Sequence, residues 1–164
     1  MSYESEVEKH RKLREDLIKG YQKAASEEET SFNYFPIDKK WKVPAEVIIR
    51  KPKEAMEDYK IKFKRIGKIT FDLLDNNHKL FNLFKVDDDL KEEFYIYLKD
   101  GTTGKSSYGV GRFVKVLKED DHFFVDFNLS FTPACGHIGA TACPWARESS
   151  PVSIEAGEMY IPES

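Results

Sequence analysis

After Glu27-Glu28-Glu29 the apolar residues of this chain change from helical to alternating spacing, and that period of two argues against a helical body. Ile61 and Phe63, then Ile69, Phe71 and Leu73, alternate with lysines and other polar residues. A strand with one buried face requires this pattern, because successive side chains point to opposite faces of a sheet. The same reading predicts strands over Ala45 to Ile49, Lys79 to Phe84, Phe94 to Lys99, Arg112 to Leu117 and His122 to Asn128. Asp75-Asn76-Asn77 carries turn chemistry after the strand ending near Leu74, and Glu119-Asp120-Asp121 turns the last pair into a hairpin. About seven short strands with no helical pattern between them predict a mainly β fold, either an antiparallel β-sandwich or a partly closed β-barrel.

Only the N-terminus departs from that period. Ser5 and Glu8 read as a capping box, and Val7, His10, Leu13, Leu17, Tyr21 and Ala24 recur every three to four residues. They predict an amphipathic α-helix from about residue 4 to 26. Its other face sets Glu8 before Lys12 and Glu15 before Lys19, the favourable order at this spacing. The expected organisation is an N-terminal helix within residues 1–30 and one β-rich domain over 31–164, a length that suits a single core. The helix either packs on the sheet or meets a protein partner.

A net charge of -3 supplies no basic field to draw the chain onto nucleic acid, so no nucleic-acid partner is expected. No apolar run approaches the roughly 20 residues that cross a bilayer, and Met1 to Gly20 alternates Glu with Lys and Arg. The expectation is a soluble, cytoplasmic protein with no membrane association. Charged residues make up 34% of the chain and Gln22 is the only glutamine, a bias found in hot-growing organisms, where intracellular disulfides are less unusual.

Candidate chemistry concentrates in the last third. In His122 to Asn128 the side chains of Asp126 and Asn128 share one face, about 7 Å apart at strand rise. Such groups in an apolar setting must be hydrogen-bonded. They act either as a ligand or general-base pair or as ties for the following loop. Asp100-Gly101-Thr102-Thr103-Gly104-Lys105 leads to Tyr108-Gly109-Val110-Gly111-Arg112. This stretch is either an anion cradle clamped by Arg112 or a glycine-bulged connection. It is not a phosphate-binding P-loop, because position 99 is Lys where the first glycine belongs.

Lys60, Lys62 and Lys64 form a basic stripe, read either as phosphate contacts or as the protection of a solvated edge strand. Asp87-Asp88-Asp89 lacks the spaced ligands and terminal Glu of an EF-hand loop and reads as a turn. Cys135, His137 and Cys143 fit three readings: a zinc site short of its fourth ligand, an activated thiol, or a disulfide. The disulfide would close a loop of about nine residues and contribute roughly 2 to 3 kcal/mol. No metal site is assigned, and no residue pattern names a cofactor.

The ordered blocks from Asp100 to Arg112, Val125-Asp126-Phe127-Asn128, Pro133-x-Cys135, Cys143-Pro144 and Ala156-Gly157-Glu158 resemble the domain of unknown function 1684 family. Phe32 to Pro36 and Gly67 to Phe71 also sit where that family has similar short blocks. Trp145 to Ser150 is shorter than the family's stretch after its Cys-Pro and lacks its Asn, and Ser106-Ser107 replaces a frequent Glu-Thr. The resemblance places Asp100, Thr103, Tyr108, Arg112, Asp126, Asn128, Cys135 and Cys143 at hallmark positions and implies no reaction.

The leading expectation is therefore a small-molecule pocket near the Cys135 to Cys143 loop, with Tyr108, Arg112, Asp126, Asn128, Asp100 and Thr103 as candidate ligand-binding residues. An enzyme built there would use Asp126 as base or anchor and Arg112 for an anionic group. The competing expectations are a protein-interaction module, in which these residues are structural, and a cofactor-binding barrel.

Overall fold

The computed structural model describes residues 2–25, 31–74, 76–139 and 142–160, the side chains of residues 23–25 and 76–79 excepted. Glu27 to Glu29, Asp75 and the side chains of Ala24, Asn76 and Asn77, on which the sequence reading also drew, lie outside this range.

The N-terminal helix, α1, spans Tyr3–Ala25. Its cap is Ser2, whose Oγ accepts the Ser5 N–H at 3.1 Å, so the helix starts one turn before the capping box suggests. Its buried stripe runs through Val7, Ile18 and Gln22, whereas Leu13 is 62% exposed and Leu17 39%. That stripe is turned from the one the apolar spacing predicts. The cause lies in Arg11 and Arg14, whose guanidinium groups reach the carbonyls of Asn128 and Thr132 at 3.1 Å and keep a polar face inward. Lys12 pairs with Asp16 at 3.0 Å, and Glu15 accepts from the Tyr34 hydroxyl at 2.7 Å, in place of the two expected Glu–Lys pairs.

After β1 (Asn33–Tyr34) and a 3₁₀ turn at Lys39–Trp41 come β2 (Lys42–Asp58), β3 (Ile61–Leu73) and β4 (Asn76–Val86). Next are β5 (Phe94–Lys99), β6 (Arg112–Glu119) and β7 (His122–Phe131). A short helix, α2 (Ala134–Ile138), then β8 (Glu148–Ser149) and β9 (Glu158–Met159) follow, β9 pairing with β1. The large sheet runs β4-β3-β2-β7-β6-β5, each pair antiparallel. Strand β4 returns to β5 through Phe84 with Tyr95 and Lys85 with Phe94, closing a ring of hydrogen bonds. The rest of the β5 edge is taken by β8, in parallel.

The fold is thus mainly β with an N-terminal helix and a ring that only just closes. Strand β3 pairs on both sides, so Lys62 and Lys64 do not protect an edge. At Gly67 a Cβ would stand 2.2 Å from the Ile48 carbonyl oxygen, so only glycine lets β2 and β3 approach this closely at the bulge.

Each face of the sheet carries an apolar cluster. Trp41, Ile69, Phe71, Ile96, Val114, Val125 and Phe127 belong to one cluster that fills the interior, with Val43, Ala45 and Val47 of β2 half-buried against it. Phe63, Phe84, Tyr95, Tyr97 and Phe113 form a second cluster on the opposite face. Ring stacking builds it: Phe113 lies against Tyr97 with centroids 4.1 Å apart and against Phe63 at 4.8 Å. Among the described residues no helix is long and apolar enough to cross a membrane.

Candidate functional site

Asp126 and Asn128 share a face of β7, as strand alternation requires, and both are buried under α1. Asp126 Oδ2 accepts the Tyr3 hydroxyl at 2.7 Å, and its Oδ1 accepts the Asn128 backbone and side-chain N–H groups at 3.0 and 3.1 Å. Asn128 closes a two-way bond with Asp38, donating to its carbonyl at 2.8 Å and accepting from its amide at 3.1 Å. Burial raises the Asp126 carboxyl above its usual range, against the lowering effect of the Tyr3 and Asn128 hydrogen bonds.

Arg112 heads a second network, 3% exposed. Its Nη1 donates to Ser130 Oγ and to the carbonyls of Ala156 and Glu158, and its Nη2 to the carbonyl of Ile154 at 2.9 Å. Asp100 faces it at 3.5 Å and also accepts the Ile154 N–H at 2.6 Å and the hydroxyls of Thr102 and Thr103. The Asp-Gly-Thr-Thr turn is therefore an Asx-type lock on the segment after Ser150, with Arg112 as its pin. Gly157, at φ +76, belongs to this lock, since a Cβ there would overlap Ser130 Oγ at 1.8 Å.

Cys135 and Cys143 are joined in a disulfide with Cα atoms 5.6 Å apart. His137 Nε2 meets Glu158 Oε2 at 2.6 Å, and Glu158 Oε1 accepts the Thr132 N–H at 2.8 Å. With both sulfurs bonded and the imidazole engaged, neither a zinc site nor a free thiol nucleophile is assembled. Tyr108 is partly exposed, its hydroxyl 3.6 Å from Cys143 Sγ and its ring 4.6 Å from that of Tyr160. Asp58, which the sequence reading passed over, is 1% exposed; it accepts the N–H groups of Ala134 and Cys135 at 2.8 and 3.2 Å and faces Arg14 at 3.7 Å.

Two cavities of about 450 Å³ border these networks, Arg14 and Ser130 lining one of them, and none of Asp100, Thr103, Tyr108, Arg112, Asp126 and Asn128 lines either. One sits between β2, β4 and the segment Pro144 to Glu148, and carries a near balance of charge. The other is a cleft under α1, roofed by His10, Leu13, Arg14, Leu17 and Tyr21 and floored by Phe63, Tyr95 and Phe131. Its walls hold six Lys and Arg side chains against three Asp and Glu, in a chain whose net charge is -3.

Lys115 lies within this cleft, its amine 3.3 Å from His10 Nδ1. Burial lowers the pKa of both groups; Glu93 partly opposes this for Lys115, while the Lys115 charge adds to it for His10. Clefts that combine apolar walls with perturbed titratable groups are where binding sites form. Lys115 had a signal in the sequence, one amine inside the run Phe113-Val114-Lys115-Val116-Leu117.

A helix strapped by buried hydrogen bonds across a ring of antiparallel strands defines a β-rich class of small protein in which polar residues lock α1 and the segment after Ser150 to the sheet. This chain belongs to the family described as "Protein of unknown function (DUF1684)", whose model matches residues 28–159 and so begins after α1. Among solved structures it is similar to the uncharacterized protein of Haloarcula marismortui determined by solution NMR, with a TM-score of 0.64 and 25% identity over 80% of this chain and 77% of that one. No curated protein matches it.

Proposed function

We propose that the chain binds a small anionic molecule with an apolar or aromatic body in the cleft under α1. In this reading Asp100, Thr103, Tyr108, Arg112, Asp126 and Asn128 hold the frame, and the pocket lies on the helix side of β6 rather than at the Cys135 to Cys143 loop. The observation that carries it is the excess of Lys and Arg on an aromatic floor within an acidic chain. Low-dielectric walls lined by one sign of charge focus field and concentrate the opposite ion.

The test is a fluorescence titration with 8-anilinonaphthalene-1-sulfonate. Charge reversal of the exposed rim residues, Lys62→Glu with Lys91→Glu, should weaken one-site binding about tenfold, or ~1.4 kcal/mol. Arg147→Glu at the other cavity should leave it unchanged. Equal binding by the rim variant, or loss in the Arg147 variant, removes the anion from this cleft.

Exposed Leu13 and Leu17 at the cleft mouth favour a second reading, in which a protein partner seats on α1. Leu13→Ser with Leu17→Ser would then abolish complex formation.

A further inference from the structure

We infer that Lys115 is the nucleophile of a carbonyl-binding site, where its amine condenses with the aldehyde or ketone of a small anionic molecule to form an imine. This rests on the reading of the cleft as an anion site and adds the bond made there.

Three observations lead to it. Lys115 is the amine set into the apolar stretch of β6, and its half-buried side chain lines the cleft. Its nitrogen is 3.3 Å from His10 Nδ1, a donor–acceptor contact that is stable when the pair shares fewer than two extra protons. The groups around this pair come from four elements: Arg11 and Arg14 on α1, Glu93 from the segment before β5, Tyr95 on β5, and Asp126, the cross-strand partner of Lys115 on β7. Glu6 and Lys9 act on the imidazole from its own helix with opposite sign. Burial favours the neutral amine, the form that attacks a carbonyl.

The chemistry balances without any oxidant or reductant. The Lys115 nitrogen forms a bond to the carbonyl carbon as the C=O π pair moves to oxygen. His10 takes a proton from the nitrogen and returns it to that oxygen. His10 then carries the second nitrogen proton to the hydroxyl as the C–O bond breaks, so water leaves and amine plus carbonyl give imine plus water. Arg11, one residue beyond His10 on the same helix, supplies positive charge for the anionic end of the molecule.

The full chain is treated with a limiting amount of pyridoxal 5′-phosphate, an anionic aldehyde, reduced with borohydride and mapped by peptide mass spectrometry. Lys115 should carry the phosphopyridoxyl group about tenfold more than any exposed lysine, since an activated amine outcompetes a solvated ammonium. Pyridoxine 5′-phosphate, which keeps the anion and lacks the aldehyde, should compete. Lys115→Met should abolish the imine absorbance while retaining the wild-type circular dichroism. His10→Gln should slow imine formation by about 10²-fold.

Labelling spread evenly over the lysines overturns the proposal. If pyridoxine 5′-phosphate still binds, and binds less well to the Lys62→Glu, Lys91→Glu variant, the anion cleft stands and only the imine falls. If it binds neither protein, both readings fall.

Discussion

Asn128 is fully buried, and its amide is the meeting point of three segments: β7, the turn at Asp38 and the start of α1. Asn128→Ala removes the partner of the Asp38 amide and carbonyl together, so equilibrium urea unfolding should record a loss of about 2–3 kcal/mol. Arg112→Ala should cost more, about 3–5 kcal/mol, because it leaves the Asp100 carboxylate buried without its cation. Asp126 gives a pH signature. Its carboxyl is raised in the folded state, so the folded protein holds a proton that the unfolded chain releases. Stability is then greatest below the ordinary aspartate pKa of about 3.9 and falls as pH rises through the window above it. In Asp126→Asn that decline should vanish from the pH dependence of the unfolding free energy. The sequence placed Asp126 and Asn128 on one face and required them to find partners. It could not name Tyr3 as that partner, because a hydroxyl 123 residues away leaves no local pattern.

At the scale of elements, strand existence was legible and helix orientation was not. Alternation recovers β5 at its observed bounds, and β2 runs past its predicted end because its second half is exposed and polar, with no apolar face to read. For α1 the apolar spacing pointed to Leu13 and Leu17, yet the inward stripe includes arginines whose hydrogen bonds to backbone carbonyls in and just after β7 outweigh their polarity. The helix is therefore part of the fold rather than an appendage. Removing residues 1–26 deletes buried Val7 and Ile18 as well as Tyr3. It should abolish cooperative thermal unfolding instead of yielding a stable β-rich core, as differential scanning calorimetry would show. The bond between Cys135 and Cys143 fixes α2 to the segment that enters β8. Its reduction should lower stability by roughly 2–3 kcal/mol on the loop-closure model. Pairing of these two thiols was one of three readings that spacing alone allowed; the choice depends on Asp58 and Glu158 positioning α2 and His137.

For the molecule as a whole, closure of the ring decides where it opens. The β2–β3 and β3–β4 pairings are long, whereas β4 meets β5 through two residue pairs. Beyond that contact β4 diverges, and the Asn82 N–H, facing away from β3, would be left without a strand partner. Glu148 fills the place of the missing strand by accepting that N–H with both carboxylate oxygens, while its own strand, β8, occupies the remaining β5 edge. Burial raises the Glu148 carboxyl, so this clasp holds its charge at an energetic cost that the Asn82 bond and the nearby Lys68 charge offset. The β4–β5 seam should be the lowest-energy opening of the ring, because local stability follows the number of pairings that must break. Glu148→Ala removes the clasp without touching the interior cluster. Native-state hydrogen exchange should then show the Asn82 amide exchanging about tenfold faster or more, an opening energy lower by ~1.4 kcal/mol or more. The Ile69 and Val47 amides in the β2–β3 pairing should keep their wild-type protection. Equal acceleration at both places would mean that the ring opens as one unit, and that its single short contact is as strong as its long ones.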